Sequence, residues 1–306
     1  MDIQALEAFW WIAQTGSFNR AAERLYLTQP SVTARIQALE KELGQPLFER
    51  RPRGVRLTDA GRALLPHAER ILQDIRRAKQ AVADLMTGTG GTLSVGCALT
   101  TSTYTLPQLL ARYKETHPGV EITVRTGRSQ QVQQLVLDDT VQLALVHAPI
   151  HPHPEIQSEP LYNEEIVMVA HPAHPLVGVG PVTADRLANE PFLTPDRSSG
   201  YWSLVEQFWA AAGVAPRITM ELDSIEATKR MVLHNLGITM LPRICVEEEV
   251  RSGRLAIIPL ETNQVLSRQT LLIYRRGKIW SGIARDFLKV LEEAFGVELA
   301  PARAAT

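Results

Sequence analysis

Apolar residues recur at helical spacing from the first turns of the chain. Ile3, Leu6, Phe9 (or Trp10) and Ala13 predict a helix over residues 3–14, and Gly16 ends it. Ser17 suits the N-cap of a second helix carrying Phe18, Ala21, Ala22 and Leu25, in which the paired alanines let another helix approach closely. After a short connection through Leu27 and Thr28, a third helix starts near Pro30, whose missing N–H would be unpaired in a first turn anyway. Val32, Ile36, Leu39 and Leu43 make its buried stripe, and Gly44 stops it. Two helices joined by a tight turn, the second with small polar residues early on its outer face, predict helix-turn-helix geometry. Leu47-Phe48 and Val55–Leu57 then read as two short strands about a Pro52-Arg53-Gly54 turn.

From Thr58, a suitable N-cap, helical spacing runs to about Met86 with only Pro66 able to kink or divide it. Leu64, Ala68, Ile71, Ile75, Ala78, Val82 and Leu85 stand alternately four and three apart, a narrow a/d-type stripe bordered by charged residues. Such a stripe predicts a partner helix, and hence dimerisation; the alternative is a long helix packed on its own domain. Thr87-Gly88-Thr89-Gly90-Gly91 has the composition of a hinge. Beyond it, apolar runs of strand length alternate with helical patterns. Strands are predicted at 93–95, 120–124, 143–146, 166–169, 218–222, 238–240, 255–258 and 271–274. Helices are predicted at 107–113, 130–137, 201–212, 225–233 and 283–294. Repeated βα units imply a mostly parallel sheet covered by helices, with ligands beyond the strands' C-terminal ends.

Charge changes this picture once it is divided. The whole chain carries −1, but residues 1–89 hold 13 Lys/Arg against 10 Asp/Glu, leaving +3 there and −4 in the remainder. More telling is the crowding of Arg50, Arg51, Arg53 and Arg56 into seven positions at the predicted hairpin, a wing able to reach phosphates or a minor groove. The outer face of the third helix offers Gln29, Ser31, Thr33, Ala34, Arg35 and Gln37. Gln and Arg can pair bidentately with base edges, and Ser and Thr can bond to bases or phosphates; the plainer reading of each is a solvated helix face.

The run Ser17-Phe18-Asn19-Arg20-Ala21-Ala22-Glu23-Arg24-Leu25, then Thr28-Gln29-Pro30-Ser31-Val32-Thr33-Ala34-Arg35-Ile36, resembles the LysR-family DNA-binding signature. So do Leu39-Glu40, Leu43-Gly44, Leu47-Phe48-Glu49-Arg50 and Leu57-Thr58-Asp59-Ala60-Gly61. The resemblance implies that Gln29 to Gln37, Pro30 included, enter the major groove and that Arg50 to Arg56 form the wing. Thr33 stands where serine is commoner in the family. The remainder of the chain resembles the family's effector domain, itself similar to periplasmic solute receptors, through Leu106-Pro107, Leu109-Leu110, His117-Pro118-Gly119-Val120-Glu121-Ile122 and Leu236-Gly237-Ile238. The implied architecture is an N-terminal all-α winged helix-turn-helix (1–58) and a long linker helix with its hinge (59–89). A C-terminal α/β two-lobed periplasmic-binding-protein-like effector domain (90–306) follows. Its lobe I would comprise about 90–162 and 268–306, and lobe II about 163–267. Asp138-Asp139-Thr140-Val141-Gln142 departs from the usual glycine-containing turn, and Asn235 stands where glycine is commoner.

Hydroxyl-rich strand-to-helix junctions mark the expected cleft: Thr100, Thr101 and Ser102, then Arg128 and Ser129, then Ser199 and Tyr201, and finally Ser224. The hydroxyls would donate to a small polar or anionic effector, or merely cap helices. Arg128 would supply a countercharge or lie exposed; Tyr201 and Trp202 would line the cleft or pack within the second lobe. The family resemblance further implies homodimers or homotetramers on a partly palindromic duplex site, with RNA polymerase as a partner at the promoter.

An enzyme reading finds little support. His151-Pro-His153 and His171-Pro-Ala-His174 could be metal ligands, but their proline-bearing loop settings favour surface histidines, and GxSxG, P-loop and strand-linked GxGxxG motifs are lacking. No cofactor is expected. A plain solute receptor would need export, yet Met1-Asp2-Ile3-Gln4 lacks the basic-then-apolar build of a signal peptide, so a cytoplasmic protein is expected. Cys97 and Cys245 form no CxxC pair and read as reduced structural thiols.

Overall fold

The structure is a computed structural model that describes residues 1–51, 54–87, 91–197, 199–262 and 265–300. The chain divides into two compact units, Met1–Gly88 and Thr89–Thr306.

In the first unit, α1 (Ile3–Thr15) ends at Gly16, whose left-handed φ of 64° closes the helix. Helix α2 (Phe18–Leu25) begins where Ser17 accepts from the Arg20 amide, and α3 (Gln29–Leu43) where Thr28 accepts from the Ser31 amide. Phe9, Ile12, Val32, Ile36 and Leu39 are buried between the three helices. Ala21 is fully enclosed, so small side chains do permit the close approach. Strands β1 (Phe48–Arg51) and β2 (Gly54–Leu57) pair antiparallel, Glu49 opposite Arg56. The hairpin docks on the α1–α2 turn, where the Val55 amide donates to the Gly16 carbonyl at 3.2 Å. Gly54 has φ of 123°, and a Cβ there would lie 2.8 Å from that same carbonyl oxygen.

Helix α4 (Asp59–Thr87) runs continuously with Pro66 inside it. The stripe predicted for a partner helix is divided in its use. Ala68 is completely buried in the unit's own core, and Leu64 and Ile71 pack partly against that core. This corrects the expectation of a seven-residue seam: from Leu64 to Ile71, the second to fourth turns, the helix turns its apolar face to its own unit's core, and Trp10 Nε1 of α1 donates to Glu69 at 3.0 Å. Ala78 is exposed and Ile75 half-exposed, while Val82 and Leu85 lie on the last turns of the same helix.

The second unit opens with β3 (Gly91–Ala98), α5 (Leu99–Tyr104), α6 (Leu106–Thr116), β4 (Val120–Gly127), α7 (Ser129–Leu137) and β5 (Leu143–His147). Strand β6 (Ile156–Ala170), α8 (Ala184–Leu187), β7 (Pro191–Pro195), α9 (Gly200–Ala211), β8 (Arg217–Leu222), α10 (Ile225–Leu233) and β9 (Thr239–Pro242) follow. The chain closes with α11 (Glu247–Arg251), β10 (Ala256–Ile258), β11 (Ser267–Arg275) and α12 (Gly282–Phe295). Strands β4, β3 and β5 are parallel, as are β7 and β8. The mostly parallel sheet expected from the sequence needs correction, because β11 and β6 run antiparallel to their neighbours. These two strands carry the chain between lobes. The first part of β6 pairs with β11 as far as Glu165 opposite Ser267, and Ile166–Val169 pairs with β9.

Alternation along each strand serves two cores at once. In β5, Leu143 and Leu145 face α6 and α12 on one side, while Ala144 and Val146 face α7 on the other. In β6, Ile166, Met168 and Ala170 join the cluster beside α9, and Val167 and Val169 join the one beside α10. Covered on both faces, these strands read as unbroken apolar runs. Asp139 and Asn235 both adopt left-handed φ, of 53° and 57°, so each performs the turn that glycine commonly makes. No helix among the described residues is long and apolar enough to cross a membrane.

Candidate functional site

In the first unit, the polar face at the start of α3 is open. Gln29, Pro30, Ser31, Ala34 and Gln37 are exposed, and Thr33 is half-buried. The Gln29 amide donates to Thr33 Oγ1 at 2.9 Å, and the Thr28 and Ser31 hydroxyls lie 2.8 Å apart, so the face is ordered before any partner arrives. Arg35 is less free than its sequence position suggests: it is half-buried and donates to Gln4 Oε1 on α1 at 2.7 Å. Arg56 is exposed on β2; Arg50 and Arg51 lie on β1, and Arg53 lies outside the described residues. Tyr26, in the turn before α3, escaped sequence reasoning. It is 96% exposed with a left-handed φ of 54°, in the turn that leads into α3.

The second unit encloses a cleft of about 570 Å³ between its lobes. Thr100, Arg128, Ser129, Ser199, Tyr201 and Ser224 line it, as expected. Thr101 and Ser102 do not: Thr101 is fully buried behind the wall, and the Ser102 hydroxyl turns back to the Leu99 carbonyl at 2.9 Å. These two expectations are corrected by α5, an unforeseen helical turn that sets Thr100 and Thr103 on the cleft and Thr101 and Ser102 off it. Ser199 and Ser224 also cap α9 and α10, so capping and lining coincide.

The floor is a polar chain that sequence reasoning missed. Arg268 on β11 stands opposite Glu164 on β6, and its guanidinium pairs with that carboxylate; both side chains are almost wholly buried. Arg268 also donates to Thr100 Oγ1 at 2.6 Å, and that oxygen lies 2.7 Å from His147 Nε2. The Thr100 oxygen thus joins Arg268 to His147, and Thr101 Oγ1 approaches the same ring nitrogen at 3.3 Å. His147 Nδ1 lies 3.2 Å from Thr270 Oγ1, and the His147 amide donates to Ser129 Oγ at 3.1 Å. Tyr201 lies under the guanidinium, 5.3 Å from its ring centre, with its own hydroxyl donated to the Met240 carbonyl. The signal in the sequence was an Arg and a Glu in the polar stretches that adjoin the apolar runs Ile166–Ala170 and Leu271–Tyr274. It becomes legible only when the two strands are known to be neighbours.

Burial, and then the Arg268 charge, hold the His147 pKa well below the ordinary 6.5. An unfolded chain therefore takes up a proton below pH 6.5 that the folded chain refuses, and stability is complete above that pH and declines as the pH falls through it. Urea midpoints measured from pH 7.5 downward are expected to show this decline, and His147→Gln is expected to flatten it; an unaltered slope would refute the assignment.

The four histidines weighed as metal ligands sit in the two proline-bearing loops. His153, His171 and His174 each accept from a backbone amide two residues on, while His151 is exposed at the cleft wall, 2.9 Å from Gln130. No cluster of three metal-ligating side chains occurs among the described residues. Cys97 and Cys245 are free and buried, and burial raises both thiol pKa values, so neither is a thiolate near neutral pH.

Residues 87–296 match the LysR substrate binding domain, and residues 3–62 the bacterial regulatory helix-turn-helix protein family of lysR type. The HTH-type transcriptional activator CmpR of Synechocystis sp. is 32% identical over 289 residues, 94% of each chain. The RuBisCO operon transcriptional regulator of Allochromatium vinosum is 32% identical over 295 residues, 96% of this chain and 97% of that one. Among solved structures, the LysR family regulator CbnR shares the fold with a TM-score of 0.68 at 24% identity, over 96% of this chain and 99% of that one. A helix-turn-helix with an open polar face on its third helix and a two-lobed α/β unit with a cleft between its lobes thus occur together in one chain, which belongs to the LysR family of DNA-binding transcriptional regulators.

Proposed function

We propose that this regulator acts in the cytoplasm as a homodimer or homotetramer on a partly palindromic duplex site, and that a small anionic effector in the interlobe cleft sets its activity at the promoter. Gln29, Ser31, Thr33 and Gln37 read base edges, while Arg50, Arg51, Arg53 and Arg56 hold the flanking phosphates. The observation that carries this reading is the pre-ordered polar face at the start of α3, exposed while Val32, Ile36 and Leu39 of its apolar stripe are buried and Leu43, at its end, is exposed. Dimerisation uses the later turns of α4, from Ile75 through Ala78, Val82 and Leu85, because Ala68 is already enclosed. A second copy along that helix would place two reading helices on successive grooves of one duplex.

In the cleft, Thr100, Ser129 and Arg128 from lobe I and Arg268 from the crossing strand offer donors to an oxyanion. An effector that binds one lobe arrangement more tightly shifts the spacing of the paired reading helices, and by linkage DNA alters effector affinity to the same degree. RNA polymerase is then reached through the promoter on which the assembly sits.

The phosphate role is tested by titrating salt against DNA affinity. Arg56→Ala is expected to weaken binding to all duplexes alike and to lower the slope of log K against log salt by about 0.9 per bound copy. A slope equal to that of the parent chain would remove β2 from the interface.

A further inference from the structure

The two lobes meet across the cleft through contacts of very different depth. On the enclosed side, Lys229 of α10 donates to Tyr104 OH of α5 at 3.2 Å while pairing with Glu249 at 3.0 Å, and Arg268 spans from Thr100 to the Tyr201 ring. The Lys229, Glu249 and Arg268 side chains are nearly inaccessible. At the cleft wall a third link differs. Arg128, at the start of α7 in lobe I, forms an ion pair with Asp196, just before α9 in lobe II. Its side chain is 52% exposed while that of Asp196 is 18% exposed. Each charge stands on a fixed support. The Arg128 amide donates to Gln131 Oε1 at 3.0 Å, and the Asp196 carbonyl accepts the Ser199 hydroxyl at 2.6 Å.

We infer that Arg128 and Asp196 form an interlobe clasp that a small oxyanion opens by exchange, its anionic oxygens taking Arg128 in place of the Asp196 carboxylate. This rests on the cleft being the effector site and names the regulation of that site. Three observations carry it. Both residues line the cavity, so a ligand there meets the pair directly. A half-exposed ion pair is weak, so a ligand with a geometrically better oxyanion can replace it, whereas the buried Arg268 and Lys229 links persist. Once released, Asp196 remains beside the N-terminus of α9, where a negative charge is favoured. The effector class follows: a carboxylate, sulfate or phosphate group borne on a molecule small enough for about 570 Å³.

The test measures interlobe distance in the full chain by electron spin resonance, with labels at E115C on α6 and E206C on α9. Both positions are exposed, and the two native cysteines are buried. Labelled chains diluted into unlabelled ones confine the signal to single copies. Without any ligand, R128E, D196R and the milder D196N are each expected to widen the distance, and R128E/D196R to restore it. Sulfate compared with chloride at equal ionic strength is expected to move the parent chain toward the widened distance. Calorimetric titration is expected to show sulfate binding D196N about fivefold more tightly, the equivalent of one partly exposed ion pair. Single substitutions that leave the distance unchanged, or a double reversal that fails to restore it, would overturn the clasp while leaving the effector site intact. Sulfate acting no differently from chloride, or D196N gaining no affinity, would overturn the exchange.

Discussion

Replacing Arg268 with methionine is expected to destabilise the effector unit by about 3–5 kcal/mol, the cost of stranding a buried charge. The reason lies in what remains. Glu164 is 5% exposed, its Oε2 is held by Arg268, and its Oε1 has no hydrogen-bond partner among the described residues. Methionine fills much of the guanidinium's space but leaves a carboxylate that must either stay charged in an apolar strand or take up a proton. Thr100 loses its donor as well, so the floor of the cleft loosens together with the core. Combining Arg268→Met with Glu164→Leu is expected to recover most of the loss, because two apolar side chains need no partner. Urea denaturation of the full-length chain followed through lobe-specific hydrogen exchange provides the measurement. A loss under about 1 kcal/mol, the range of exposed ion pairs, would show that water reaches the pair.

Gly61→Ala is expected to cost the first unit about 2–3 kcal/mol, from overpacking rather than lost contact. A Cβ at Gly61 would lie 2.3 Å from the Leu47 carbonyl oxygen and 2.8 Å from Leu57 Cδ2. That oxygen cannot retreat freely, since it accepts the Thr58 amide at 3.0 Å, while the Leu47 amide itself donates to Glu40 Oε1 at 2.7 Å. Helix α4 must therefore shift away from the hairpin it supports. Expected results are weakened DNA binding together with faster exchange of β1 and β2 amides, with the effector unit unchanged. Full DNA affinity in Gly61→Ala would mean that α4 can slide on its bed without disturbing the wing.

Much of this was legible along the chain because local chemistry decided it. Helices α1 to α3 end at residues whose caps are recognisable, Gly16, Ser17, Thr28 and Gly44, and the reading face follows from where Val32, Ile36 and Leu39 point. Strand β5 and the second half of β6 announced themselves as apolar runs covered on both faces. What stayed hidden depended on pairing across distance. The 15-residue length of β6 could not be seen, since Glu159, Asn163 and Glu164 break its apolar pattern where it crosses between lobes. Helix α5, Leu-Thr-Thr-Ser-Thr-Tyr, has little helical propensity and is held partly by the Ser102 and Thr103 hydroxyls bonding to the Leu99 carbonyl. That turn decides why Thr100 reaches the cleft and Thr101 does not. The seam of α4 misled in its first turns for a related reason: spacing shows that a stripe is apolar, not which surface covers it.

The base-reading role of α3 is the claim on which the regulatory account depends. It is tested most directly by selecting preferred sites from a random duplex pool with the parent chain and with Gln29→Ala. Gln29 is exposed, and among the described residues its side chain bonds to Thr33 of its own helix, so its loss leaves the fold in place. The expected result is a preference relaxed at one symmetric pair of base positions, with discrimination there reduced by about 1–3 kcal/mol and the salt slope unchanged. Identical selected sites from both chains would contradict it.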